Sequence, residues 1–184
     1  MTANDSLKEL FKVLRDQGAS YMIVGSYSSN FYGIPRSTKD ADLVVSVDAT
    51  ILQEVAKHLP DGIRFEEQGF FEMVTATRKE LLLVDGSDFQ IELFHLSEDD
   101  FDQARFQRRV KINLPSFGEV WLPTAEDVVI QKLRWALGAS RSKDFDDVVA
   151  VLKMQNALDF IHIEKWCGEH GTLALLAEAR EAAA

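Results

Sequence analysis

The chain is short of cysteine, histidine, long apolar runs and positive charge, and each shortage excludes a class of protein. Cys167 is the one cysteine, so no internal disulfide can form, which fits a reducing cytoplasm. No apolar run approaches the roughly 18 residues a transmembrane helix needs. The opening Met1-Thr2-Ala3-Asn4-Asp5-Ser6 lacks the basic and apolar regions of a signal peptide. A cytoplasmic protein with no membrane partner is therefore expected. His58, His95, His162 and His170 lie too far apart for a zinc signature. Acidic residues number 30 against 20 basic ones, a net charge of −10, which argues against coating nucleic acid through bulk charge while leaving room for a local basic groove. There is no internal repeat, and the only biased stretch is the alanine-rich tail, expected to fray.

With 184 residues, 46% apolar and 27% charged, the chain suits one globular domain or a core with a small appendage. Its most informative stretch is Tyr21 to Val45. The apolar run Tyr21-Met22-Ile23-Val24 enters a Gly25-Ser26 turn, and Tyr27 to Tyr32 suits a short helix broken by Gly33 and Pro35. The run Asp40-Ala41-Asp42-Leu43-Val44-Val45 then starts a second strand with two carboxylates. Alternation puts Asp40 and Asp42 on one face, about 7 Å apart along the strand. Such a pair can hold a hard divalent cation. A glycine-serine turn offers backbone N–H groups and a hydroxyl to phosphate.

The other elements follow from periodicity. Leu7, Leu10, Phe11 and Leu14 predict a helix ended near Gly18, and Asp48 is placed to cap a helix through Leu59. Strands are expected at Ile63–Phe65 and Phe71–Thr77. A hairpin of Leu81–Val84 and Phe89–Leu96 is expected across Asp85-Gly86-Ser87-Asp88. In its second strand Glu92 is a carboxylate on an apolar element and needs a metal or a cation such as Arg78. Ser97 with Asp100 suggests a capping box opening a helix to Ala104. Arg105, Arg108, Arg109 and Lys111 form the densest basic cluster, leading into a strand at Val110–Leu114, with another at Glu119–Leu122. Helices follow, capped by Thr124 and Asp127, then Ser142–Met154 after the link Gly138-Ala139-Ser140-Arg141, then two more. The order describes an α/β (mixed α+β) fold: a mixed sheet flanked by helices, residues 1–122, with a C-terminal helical extension, 123–184, packed on that core.

Gly25-Ser26, Asp40-Ala41-Asp42 and the later Glu92 together resemble the signature of the nucleotidyltransferase superfamily. Pro35-Arg36-Ser37-Thr38-Lys39-Asp40 is similar to the minimal bacterial members, including AbiEii toxins and small antibiotic-modifying enzymes. Ala125 to Leu133 and Lys143-Asp144-Phe145-Asp146-Asp147 resemble the helical segment that follows the core in such proteins. Glu in place of Asp at the third position is a departure that the superfamily tolerates. The resemblance implies transfer of a nucleoside monophosphate from an NTP donor to an acceptor hydroxyl with two Mg2+ ions. It implies Asp40, Asp42 and Glu92 as metal ligands and catalytic residues, with Gly25, Ser26, Arg36, Thr38 and Lys132 at the nucleotide.

Bland readings stand beside these. Ser26 can cap the helix it opens, Arg36 and Thr38 can shape their loop, and Lys132 can snorkel past the core. Asp144, Asp146 and Asp147 read as a helix start rather than as catalysts. The acceptor is open among a small molecule, a tRNA end and a protein side chain, the small molecule narrowly favoured because residues 108 and 109 in a strand would face opposite ways. The rival function is a non-catalytic nucleotide-binding regulatory or toxin–antitoxin module on the same fold. A metal-dependent phosphohydrolase is a weaker third reading, since the chain lacks the histidine-rich ligand set such enzymes use.

Overall fold

The computed structural model describes residues 1–66, 70–72, 77–139 and 142–184. The chain divides into two compact units, one of Met1–Ile23 with Thr38–Leu122 and one of Val24–Ser37 with Pro123–Ala184.

In the first unit, α1 (Ala3–Asp16) opens on a capping box in which Thr2 and Asp5 exchange side-chain and backbone bonds. Its buried stripe includes Leu7, Leu10, Phe11 and Leu14, and Gly18 reverses the chain at φ 66°. Strand β1 (Ser20–Val24) follows, and α2 (Gly25–Tyr32) belongs to the other unit. After it come β2 (Asp40–Ser46), α3 (Ala49–His58), β3 (Ile63–Phe65), β4 (Phe70–Glu72), β5 (Thr77–Val84) and β6 (Gln90–His95). Asp48 caps α3, its carboxylate accepting from the Ile51 N–H at 2.8 Å. The sheet order is β1-β2-β6-β5-β3, with β4 also on β5. Strands β2 and β6 are parallel, whereas β5 runs antiparallel to β6, β3 and β4, so the sheet is mixed as expected. The hairpin at Asp85–Asp88 is present, with Gly86 at φ 72°. Of the strand expected at Phe71–Thr77, residues 73–76 lie outside the described residues, as do 140 and 141 of the expected link.

The basic segment differs from expectation. Helix α4 (Asp100–Arg108) runs past Ala104 and is capped by Asp99, whose side chain accepts from the Asp102 N–H. Ser97 instead donates to the Asp102 carboxylate. Arg105 and Arg108 are thus helical, and the strand β7 (Val110–Leu114) begins only after them, pairing with β8 (Gly118–Leu122) in a separate two-stranded sheet. Phe11 stacks on Tyr21 at 5.6 Å and meets Phe117 edge-on at 5.4 Å, joining α1, β1 and the β7–β8 turn in one core.

The second unit is helical: α2 with α5 (Ala125–Ala139), α6 (Ser142–Met154), α7 (Phe160–His170) and α8 (Leu173–Ala183). Its core holds Val128, Val129, Ile130 and Leu133 of α5, Val148 and Val151 of α6, Ile163 and Cys167 of α7, and Leu176 and Ala179 of α8. Among the described residues no helix is long and apolar enough to cross a membrane.

Gly33, which ends α2, lies against the backbone of α6. A Cβ there would stand 3.0 Å from the Val151 nitrogen and 3.1 Å from the Ala150 carbonyl carbon, neither able to rotate away. Gly33→Ala is expected to lower the melting temperature by several degrees, a cost of about 1–3 kcal/mol for overpacking. Calorimetry showing an unchanged melting temperature would mean that α2 is free to lift from α6.

Candidate active site

The sheet of the first unit presents its carboxylates by strand parity. In β2, Ala41, Leu43 and Val45 are buried at 1%, 0% and 1% exposure, which turns Asp40 and Asp42 to the opposite face. In β6, Ile91 and Leu93 are buried, which turns Glu92 the same way. The parallel register sets Asp42 beside Glu92 and Asp40 beside Gln90. Adjacent parallel strands lie about 4.8 Å apart. The register thus puts three carboxylate-bearing positions on one sheet face within a few ångströms of backbone.

Their partners are specific. The Thr38 hydroxyl donates to Asp40 Oδ1 at 2.6 Å. Glu92 Oε1 accepts from Lys79 Nζ at 2.9 Å, both side chains about one-fifth exposed. Lys79 comes from β5, where the register pairs it with Phe94, and its ammonium lies 5.5 Å from that ring. Arg78, the partner anticipated for Glu92, holds Glu80 at 2.7 Å instead. Parity explains this, because β5 sets Leu81 opposite Glu92, so odd-numbered residues of β5 share its face.

Among the described residues no group of three or more His, Cys, Asp or Glu side chains is gathered as a ready metal cage. The donor chemistry does fit magnesium, which binds oxygen ligands through one or two carboxylates and completes its shell with water and substrate phosphate.

The second unit holds the remaining candidates. Gly25 sits at φ 61°, a conformation that side chains resist, so glycine is needed where β1 turns into α2. Ser26 Oγ accepts from Arg36 Nη2 at 3.0 Å. Asn30 clamps the same arginine by its backbone, donating to the Arg36 carbonyl at 2.7 Å and accepting from its N–H at 3.0 Å. The guanidinium then grips Asp147 with two bonds, 2.7 and 2.9 Å. Ser29 donates to Asp147 Oδ2 at 3.0 Å, and Lys132 bridges Asp144 Oδ1 at 2.8 Å and Asp147 Oδ2 at 2.9 Å. Lys132, Asp144 and Asp147 are all at most 5% exposed. Burial pushes the Asp147 carboxyl up, but hydrogen bonds from Arg36 and Lys132 outweigh it and hold the group below the usual carboxylate range.

The sequence does not announce this network as a unit, but it carries a signal for it. Asp144, Asp147, Val148 and Val151 fall at i, i+3, i+4 and i+7, so the two aspartates lie on the apolar stripe of α6. A further buried carboxylate, Asp127, is met by His162 Nε2 at 2.8 Å. Burial, with Glu126 and Asp127 adding to it, pushes the Tyr32 hydroxyl up to about 12, and it donates to the Pro123 carbonyl as a neutral phenol. Burial likewise raises the Cys167 thiol, which behaves as a small apolar side chain.

The basic cluster of the first unit is largely consumed by its surroundings. Arg105 is 4% exposed and paired with Asp102 at 2.8 Å. The Arg109 guanidinium lies 4.1 Å from the Phe106 ring and 4.9 Å from the Trp121 ring, and Lys111 pairs with Glu119 at 3.3 Å.

Residues 25–183 match the model of a family described as nucleotidyl transferase AbiEii toxin, type IV TA system. No curated protein matches the chain. Among solved structures, ANT(2")-Ia in complex with adenylyl-2"-tobramycin is similar at 11% identity and a TM-score of 0.65, over 93% of this chain and 98% of that one. An antigenic nucleotidyltransferase-like protein from Paracoccidioides brasiliensis is 19% identical at a TM-score of 0.53, over 97% of this chain and 93% of that one. JHP933 from Helicobacter pylori is 13% identical at a TM-score of 0.53, over 100% of this chain and 88% of that one. At these identities the likeness is one of fold.

Proposed function

Because the chain belongs to the AbiEii nucleotidyl transferase family, we propose that it is a magnesium-dependent nucleotidyltransferase moving a nucleoside monophosphate from an NTP to an acceptor hydroxyl. The observation that carries this reading is the register of β2 on β6, which puts Asp42 beside Glu92 with Asp40 on the same face. When bound, magnesium supplies charge neutralisation at the attacking and leaving oxygens of an in-line displacement. Asp40, Asp42 and Glu92 are the residues proposed to hold it. The acceptor oxygen forms a bond to the α-phosphorus while the bond to pyrophosphate breaks, and Glu92 is proposed to take the hydroxyl proton.

Gly25 and Ser26 are proposed to meet the triphosphate through backbone N–H groups and the serine hydroxyl, with Arg36 beside Ser26 as a further cation. Thr38 orients Asp40. Lys132 is enclosed by Asp144 and Asp147, and is proposed to act on the nucleotide only through the Asp147–Arg36 link. A small acceptor is favoured over RNA, because Arg105, Arg109 and Lys111 are engaged with acids and rings rather than arrayed for phosphates.

The test is incubation of the protein with each α-phosphate-labelled NTP, magnesium and a total cell extract. Label should pass to a small product, with little dependence on salt. Salt-sensitive label on tRNA would replace the small acceptor by RNA. Absence of transfer from all four nucleotides, with a nucleotide still raising the melting temperature, would favour the non-catalytic nucleotide-binding module, and no stabilisation by any nucleotide would overturn both readings.

A further inference from the structure

Lys79 is the residue of the carboxylate face that neither the family signature nor the sequence pattern singles out. It reaches Glu92 diagonally across the β5–β6 ladder, and its 2.9 Å contact occupies one carboxylate oxygen of the proposed third metal ligand. The contact is held from several sides. The ammonium also lies over Phe94, Lys79 and Glu92 are each only about one-fifth exposed, and both are fixed on paired strands rather than on loops.

We propose that Lys79 is a resident counter-ion for Glu92, a positioning residue that keeps this carboxylate from metal until nucleotide binds. Lys79 sits on Glu92 Oε1 and leaves Oε2 open, but its ammonium repels a divalent cation arriving there even in water, and this weakens metal binding at Glu92. In the nucleotide-free protein Glu92 is therefore satisfied by Lys79, and metal binding draws on Asp40 and Asp42 alone. A triphosphate brings negative charge that offsets this repulsion, and Glu92 then exchanges Lys79 for metal. The consequence is ordered assembly: tight binding of the second metal requires the nucleotide.

The inference rests on the metal reading above, and the test separates the two. Binding of Mn2+ to nucleotide-free protein is followed by electron paramagnetic resonance, a readout independent of turnover. Lys79→Met, which keeps the stem and drops the charge, is expected to tighten binding about tenfold and to raise the stoichiometry from one ion to two. Lys79→Arg should behave as wild type. With a non-hydrolysable ATP analogue present, wild type and Lys79→Met should converge. Thermal melts check folding, and Lys79→Gln serves if the methionine variant is unstable. Wild-type Mn2+ binding in the charge-removed variants, alongside weakened binding in Asp42→Asn, would overturn the role of Lys79 and leave the metal site standing. Unchanged binding in Asp42→Asn would overturn the metal site and the inference with it.

Discussion

Replacing Asp42 by asparagine is expected to abolish nucleotidyl transfer while leaving the protein folded. Asp42 lies in β2 with Glu92 as its register partner, and its side chain is half-buried on the face opposite Ala41 and Leu43. Asparagine keeps the shape of the side chain and the sheet hydrogen bonds, which belong to the backbone. On the proposed reading it removes a charge that would hold magnesium against the substrate phosphates. If Asp42 is such a ligand, its loss should cost about 4 kcal/mol of transition-state stabilisation, roughly a thousandfold in rate. The substitution keeps the volume and the backbone bonds, so the melting temperature should move by no more than a few degrees. A rate within tenfold of wild type in the labelled-NTP assay would remove Asp42 from the chemistry. A large fall in melting temperature would show instead that the residue is structural.

The proposed site is legible in part because strands write their faces into the sequence. Alternation in Asp40–Val45 and Phe89–Phe94 by itself assigns Asp40, Asp42 and Glu92 to polar faces, and burial of Ala41, Leu43, Ile91 and Leu93 agrees. Pairing of β2 with β6 is not legible. The two are separated by α3 and three strands, and nothing local records a parallel register over that distance. The partner of Glu92 is Lys79 rather than the expected Arg78, because strand parity needs the hairpin register and not the sequence spacing alone. The Asp85–Asp88 turn fixes the hairpin register, and that register's parity selects Lys79 over Arg78.

The helical part hides more. Val24–Ser37 reads as a loop and a short helix between two strands, yet it joins the C-terminal helices through Arg36, Ser29 and Gly33. Small polar residues such as Ser28 and Ser29 carry no apolar stripe, although both are buried at 2% and 3% exposure. The Ser28 hydroxyl is satisfied locally by the Gly25 carbonyl and the Ser29 hydroxyl by Asp147 of α6, which is what lets a serine-rich helix be buried. The basic run from Arg105 to Lys111 misleads for a related reason. Charge density alone does not reveal that Asp102, one helical turn before Arg105, and the rings of Phe106 and Trp121 absorb it.

Lys132→Met is expected to cause a large loss of stability in the helical unit. The substitution fills similar volume, so it leaves little cavity, but it strips Asp144 Oδ1 of its ammonium and Asp147 of one of its two cations. Asp144 is 5% exposed and its other oxygen has no hydrogen-bond partner among the described residues. Breaking a buried pair from one side leaves an uncompensated charge and costs about 3–5 kcal/mol. Replacing Asp144 by leucine in the same chain should recover part of that, because the unpaired charge then disappears. Acid supplies an independent check. The folded-state Asp147 carboxyl is held low, so its contribution to stability is present above the ordinary carboxylate value of 3.8 and is lost as pH falls through the lower folded value. Without Lys132 the folded value moves up and the contribution at neutral pH shrinks. The stability gap between wild type and variant should therefore be widest near pH 7 and narrow below about pH 4, as read from urea unfolding at each pH. A gap that stays constant into acid would mean that Lys132 supports the fold through packing rather than through its charge.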